Sequence, residues 1–181
     1  KTRLALNRAA LLKERGQGDA ALAALLAVPR DSAMYYEARL RAAELLRESG
    51  KTKEAALQVD DAGKAAGDDQ DRQLEIAIAQ AFIDEKRGDA VMATRRLEGL
   101  RARHPNHTAL TLSLAMIEER RGVWSHALEL VEGLLKQKPG AVELLNFWGF
   151  VAADHDHELA LARKRLQSAA ARDPGSSALL D

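Results

Sequence analysis

A small residue stands in mid-helix register at Ala9, Ala43, Ala81, Ala115 and Gly149, at spacings of 34, 38, 34 and 34. A glycine follows the first four of these at Gly16, Gly50, Gly88 and Gly122, spaced 34, 38 and 34. A second small residue recurs at Ala21, Ala55, Ala93, Ala127 and Ala162, spaced 34, 38, 34 and 35. Prolines close the later units at Pro105, Pro139 and Pro174. Markers that move together over such a period restrict the chain to one kind of architecture. Each unit must be a single supersecondary piece, unable to bury its apolar face except against its neighbours.

Each unit reads mechanically. One helix runs to the glycine, which ends it in a left-handed conformation without a side-chain penalty. A second helix follows, and the two small positions let the paired backbones approach closely. Apolar pairs three residues apart then mark one face of the second helix: Leu25 and Val28, Val59 and Ala62, Leu97 and Leu100, Val131 and Leu134, Leu166 and Ala169. A closing proline blocks continuation of that helix. Pro29 falls early for this role, and four extra residues lie within "AGKAAGDDQDRQ", where a wide turn is expected.

Composition agrees with closely packed helices and excludes several functions. The chain has 181 residues, of which 46% are hydrophobic, much of that Ala and Leu, and only 4% are aromatic. Lys plus Arg and Asp plus Glu both number 27, so the general basic excess that holds nucleic acid or an acidic membrane is missing. Without cysteine there is no disulfide, thiolate nucleophile or Cys-ligated zinc. The longest uncharged apolar run, "AALAALLAV" at 20–28, is far below the ~20 residues of a membrane-spanning helix. The chain opens on "KTRLAL" and stops at "SSALLD", so it is expected to be a piece of a longer protein.

The repeat resembles the tetratricopeptide repeat (TPR), a ~34-residue helix–turn–helix with a W-x2-L-G-x2-Y signature. The closest stretch is "LNFWGFVA", where Leu145, Trp148, Gly149 and Ala152 match with the large residues permuted. The fourth unit carries Leu114, Ala115, Gly122, Trp124, Ala127, Val131, Leu134 and Pro139 in matching places. The third departs at Gln80 and Asp84, where the family places apolar residues. The resemblance implies an all-α, right-handed α-solenoid of about five units in a single array. These units are expected at 2–31, 36–67, 74–105, 108–139 and 142–174, with a further helix starting at 176–181. The tail "DPGSSALLD" resembles junctions in bacterial arrays, including exported ones. That points to the bacterial envelope, while composition fits cytosol and periplasm equally.

One segment invites a chemical reading. Asp154-His155-Asp156-His157-Glu158 gathers five titratable or metal-capable side chains. It falls where the other units have their glycine turn, and Asp and His tolerate turn conformations well. The expectation is therefore a polar turn in which Asp154 or Asp156 caps the second helix. An H-x-H pair without a third ligand does not define a metal site. No zinc signature, P-loop, dinucleotide fingerprint or nucleophile elbow occurs. No catalytic residue, metal or cofactor is expected.

In the TPR resemblance the first helix of each pair lines a concave inner face. Register then places Leu6 and Ala10, Leu40 and Glu44, Ile78 and Phe82, Leu112 and Met116, and Asn146 and Phe150 on it, with Phe147 alongside. Leu40, Ile78, Phe82, Leu112, Met116, Asn146, Phe147 and Phe150 are the candidate partner-binding residues. Co-chaperone TPR domains that clamp acidic C-terminal tails use Lys, Asn and Arg there. Here Leu6, Ala10, Ile78, Ala79 and Leu112 stand instead, which disfavours that ligand. The expected function is a non-enzymatic scaffold holding a helical or extended apolar segment of a partner protein, with an envelope assembly or adaptor role. Homo-oligomerisation is compatible with it. The alternative is a helical-repeat nucleic-acid binder using Arg95, Arg96, Arg101 and Arg103.

Overall fold

The glycine turns set the architecture. In the computed structural model, which describes residues 2–173, Gly16, Gly50, Gly88 and Gly122 have φ of 71°, 78°, 93° and 80°. At each, the next amide donates back to a helix carbonyl five residues before it, as from Lys51 to Leu46 (2.8 Å) and from Val123 to Glu118 (2.9 Å). Ten helices are thereby defined among the described residues, in five pairs. They are α1 (Thr2–Glu14) and α2 (Gly18–Leu26), α3 (Tyr35–Glu48) and α4 (Thr52–Ala66), α5 (Gln70–Lys86) and α6 (Ala90–Arg103). Then follow α7 (Thr108–Arg120) and α8 (Trp124–Gln137), and α9 (Val142–Asp154) and α10 (Leu159–Arg172). The further helix expected at 176–181, and its signal around Pro174, lie outside the described residues.

Every small marker is buried. Ala81, Ala115, Ala21, Ala55, Ala93 and Ala127 are wholly inaccessible, Ala162 nearly so, and Ala9 and Ala43 are 3% exposed. Gly149 shows the reason most directly. A β-carbon built there would lie 2.6 Å from Leu166 Cγ and 3.2 Å from the Ala162 carbonyl oxygen, so α9 meets α10 without room for a methyl group. The apolar pairs of the second helices are buried too, apart from half-buried Leu100 and Leu166.

The chain forms two compact units, the first ending at Arg96 and the second beginning at Leu97. In the first, Leu6, Ala9, Ala21, Leu25, Val28, Ala38 and Ala42 make one core cluster. A second gathers Ala43, Leu46, Ala55, Val59, Ala62, Ile76 and Ile83. Leu6 therefore belongs to the core and not to an inner binding row. In the second unit, Leu110, Leu114, Ile117, Val131 and Leu144 are fully buried, with Trp148 3% exposed.

Three polar side chains shape the first unit. Buried Arg39 donates from Nη2 to the carbonyl oxygens of Leu25 (3.1 Å), Leu26 (2.9 Å) and Val28 (3.2 Å), and from Nη1 to Gln58 Oε1 (3.0 Å). It closes the C-terminus of the nine-residue α2, whose last carbonyls have no helical partner. The polar positions Gln80 and Asp84 are met by one residue, Arg96, at 3.3 and 3.2 Å. The four extra residues before the third pair are taken up largely as helix. Asp69 caps α5 by accepting from the Arg72 amide, and α5 runs to 17 residues against 13 in α1, α7 and α9.

Candidate functional site

The candidate residues divide between the two units. In the first, Leu40 on α3 and Ile78 and Phe82 on α5 are half-buried, on helices that pack together. Leu40 also rests against the second core cluster. The Arg47 guanidinium lies 5.4 Å from the Phe82 ring centre. One turn before Leu40, Tyr36 donates to Glu75 Oε2 (2.7 Å) and to the Arg72 carbonyl (3.1 Å), with the Arg72 guanidinium 4.8 Å from its ring. Partial burial, with the Glu75 carboxylate it donates to, pushes the Tyr36 phenol well above its usual range. Tyr36 and Arg47 thus stand beside the named row, and sequence reading missed both. The i−4 relation of Tyr36 to Leu40 was the available signal.

In the second unit, Leu112 and Met116 on α7 are half-buried, as are Asn146 and Phe147 on α9, and Phe150 is 36% exposed. Asn146 also lines a cavity of about 450 Å³ with Val142, Glu143 and Asp173. Of the arginines considered for nucleic acid, Arg96 is committed to Asp84 and Arg103 donates to its own helix at Gly99 (3.3 Å).

The polar turn at 154–158 has a different role from capping. Asp156 takes the left-handed place of the missing glycine at φ 50°, and the His157 amide donates to the Ala152 carbonyl (2.8 Å), as in the four glycine turns. Glu158 is also left-handed, at φ 44°, and is itself the N-cap residue of α10 without a side-chain capping bond. Neither Asp154 nor Asp156 caps that helix. The inserted residue is absorbed by this second left-handed position. Replacing Asp156 with glycine is therefore expected to stabilise the second unit by about 1 kcal/mol, since left-handed backbone burdens any residue with a β-carbon. Urea unfolding measures it, and an unchanged or lowered midpoint would mean that the aspartate side chain contributes to the turn.

The two histidines of this turn are packed on tryptophan. His155 stacks on Trp124 with ring centres 4.7 Å apart and 13° between planes. His157 tilts against Trp124 at 5.5 Å and against Trp148 at 6.3 Å, and its Nε2 lies 3.5 Å from Glu158 Oε1. Trp148 also meets Arg165, whose guanidinium carbon sits 3.9 Å from the ring centre and whose Nη2 is 2.7 Å from Glu132 Oε2. Among the described residues, no three His, Asp or Glu side chains are grouped to hold a metal ion. His107 instead caps α7, its Nδ1 accepting from the Leu110 amide at 3.2 Å. No described helix is long and apolar enough to cross a membrane.

Paired helices, left-handed glycine turns and buried small residues at fixed period define an all-α fold of the TPR solenoid type. Among solved structures, the chain is similar to a MamA RS-1 ArsTM double mutant, with a TM-score of 0.54 and 15% identity over 97% of this chain and 96% of that one. It is also similar to MamA, 41 to end, from Desulfovibrio magneticus RS-1 (0.52; 16% identity; 93% and 92% covered). A third is YrrB, a TPR protein with an unusual peptide-binding site (0.52; 19% identity; 94% and 85% covered). At these identities the likeness carries the fold. No protein-family model and no curated protein matches the sequence.

Proposed function

We propose that the chain is a non-enzymatic protein-interaction scaffold whose first helices hold apolar segments of a partner protein. The observation that carries this reading is the incomplete burial of large apolar side chains in the two rows named below, of which Phe150 is 36% exposed. Aromatic and methionine side chains left at the surface favour an adaptable apolar contact. The rows are Leu40, Ile78 and Phe82 in the first unit, and Leu112, Met116, Asn146, Phe147 and Phe150 in the second. Asn146 supplies a side-chain amide that can orient a bound backbone. An envelope assembly or adaptor role is the finer form of the proposal.

Peptides selected on the intact protein from a random library test it. Phe82→Glu and Phe150→Glu place a charge in one row each, and each is expected to weaken its own set of selected peptides by about tenfold or more, because a carboxylate would be desolvated under an apolar ligand. Selected peptides that bind both variants as tightly as the parent would overturn the reading.

A further inference from the structure

The second unit contains a cavity of about 520 Å³ between α8, Trp148 of α9, the start of α10 and the turn before it. Its walls include Trp124, Trp148 and His157, with Glu129, Glu132 and Glu158 set against a single ammonium, Lys136. We propose that this cavity binds an arginine side chain presented by a partner protein. It is built mainly on α8 and the turn before α10, and takes from α9 only Trp148, so it uses none of the residues of the first-helix rows.

The argument begins with what the same wall already holds. Arg165 lies flat enough on Trp148 to bring its guanidinium carbon within 3.9 Å of the ring centre, while Glu132 takes one of its nitrogens at 2.7 Å. An indole face with a carboxylate at its edge is the arrangement that suits a guanidinium, whose planar charge stacks and donates in its own plane. The cavity offers the same pair of elements a second time. Trp124 lines the cavity as well, with His155, outside the cavity wall, stacked on its ring and His157, within the wall, tilted against it at 5.5 Å. Glu129 makes no ion pair or hydrogen bond among the described residues, and Glu158 meets only the His157 ring at 3.5 Å.

Charge and desolvation select among ligands. An anion would face the carboxylates of Glu129 and Glu158, neither of which is paired with Lys or Arg among the described residues, while Glu132 is already held by Arg165. An apolar side chain would strip water from Glu129 and Glu158 with no return. A guanidinium gains from both ring and carboxylates, and the volume lies within the ~300–1,000 Å³ of ordinary ligand sites, enough for the side chain and some flanking backbone.

The chain's two tryptophans both line this cavity, so all of its indole emission comes from the site. The test is a fluorescence titration of the intact chain with acetyl-Gly-Arg-Gly-amide, and with its citrulline and lysine counterparts. The arginine peptide is expected to change the emission saturably, with the neutral citrulline peptide about tenfold weaker and the lysine peptide about threefold weaker. Glu129→Gln, an exposed change on α8, is expected to weaken the arginine peptide about fivefold, and Lys136→Gln to tighten it about twofold. No saturable change overturns the proposal, as does citrulline or lysine equal to arginine, or an affinity indifferent to Glu129.

Discussion

Replacing Arg39 with methionine is expected to destabilise the first unit by about 3 kcal/mol, although a charged residue is exchanged for an apolar one of similar length in a buried place. The reason is that the carbonyls of Leu26 and Val28 lose the Arg39 donor, and that of Leu25 is left with only the Val28 amide at 3.2 Å. Methionine satisfies none of them, and water has poor access to a side chain that is 6% exposed. Arg39 also stacks on Tyr35, its guanidinium carbon 4.6 Å from the ring centre, so packing is lost along with hydrogen bonds. Lysine at this position keeps the charge and one donor nitrogen for the carbonyls but loses the Nη1 bond to Gln58 and the planar stack on Tyr35, so it is expected to recover only part of the loss. Urea unfolding gives the magnitude, and amide exchange gives the place. Protection should fall first in α2, because stability in a helical repeat is the sum of local terms and nearest-neighbour interfaces. A methionine variant within about 0.5 kcal/mol of the parent would show that the carbonyls find other partners.

Gly149→Val is the second large effect, expected at about 3 kcal/mol in the second unit. The first added carbon alone reaches 2.6 Å from Leu166 Cγ, and the Ala162 carbonyl behind it is backbone that cannot swing aside. Alanine at the same position is milder, since replacing a mid-helix glycine returns about 1 kcal/mol of helix propensity against the overlap. The mechanism predicts a specific rescue. Adding Leu166→Ala to Gly149→Ala removes the blocking side chain, and the double variant should be more stable than the sum of the two single losses allows. Strict additivity would show that the overlap with Leu166 is not the source of the loss.

These two positions differ in how far the sequence announces them. Gly149 is legible because it occupies a repeated place, and repetition converts a single small residue into a statement about helix spacing. The left-handed turns are legible for the same reason, and so is the place of the fifth turn at 154–158, although the roles of Asp156 and Glu158 within it are not. Arg39 is not legible. A charged residue among Glu37, Arg41 and Glu44 reads as part of a solvated helix face, and nothing local records that the end of α2 and Val28 beyond it bring their carbonyls to this side chain. The tryptophan–histidine cluster is hidden by distance along the chain. Trp124 and His155 lie in different helix pairs, and nothing in local periodicity records that they meet. Leu6 departs from the expected inner row because register alone orients a first helix, whereas the first pair of helices buries that side chain with Ala38 and Ala42 of the next.

The aromatic residues have an optical consequence. Tyr35 and Tyr36 are the chain's two tyrosines and belong to the unit that ends at Arg96, while Trp124 and Trp148 belong to the other. Each unit thus carries its own chromophore and lacks its neighbour's. Excitation at the red edge of the indole band follows the second unit, and the tyrosine bands of the second-derivative absorbance spectrum, separated there from the overlapping indole bands, follow the first, in a single unlabelled sample. A substitution at Arg39 should move only the phenol curve at first, and one at Gly149 only the indole curve.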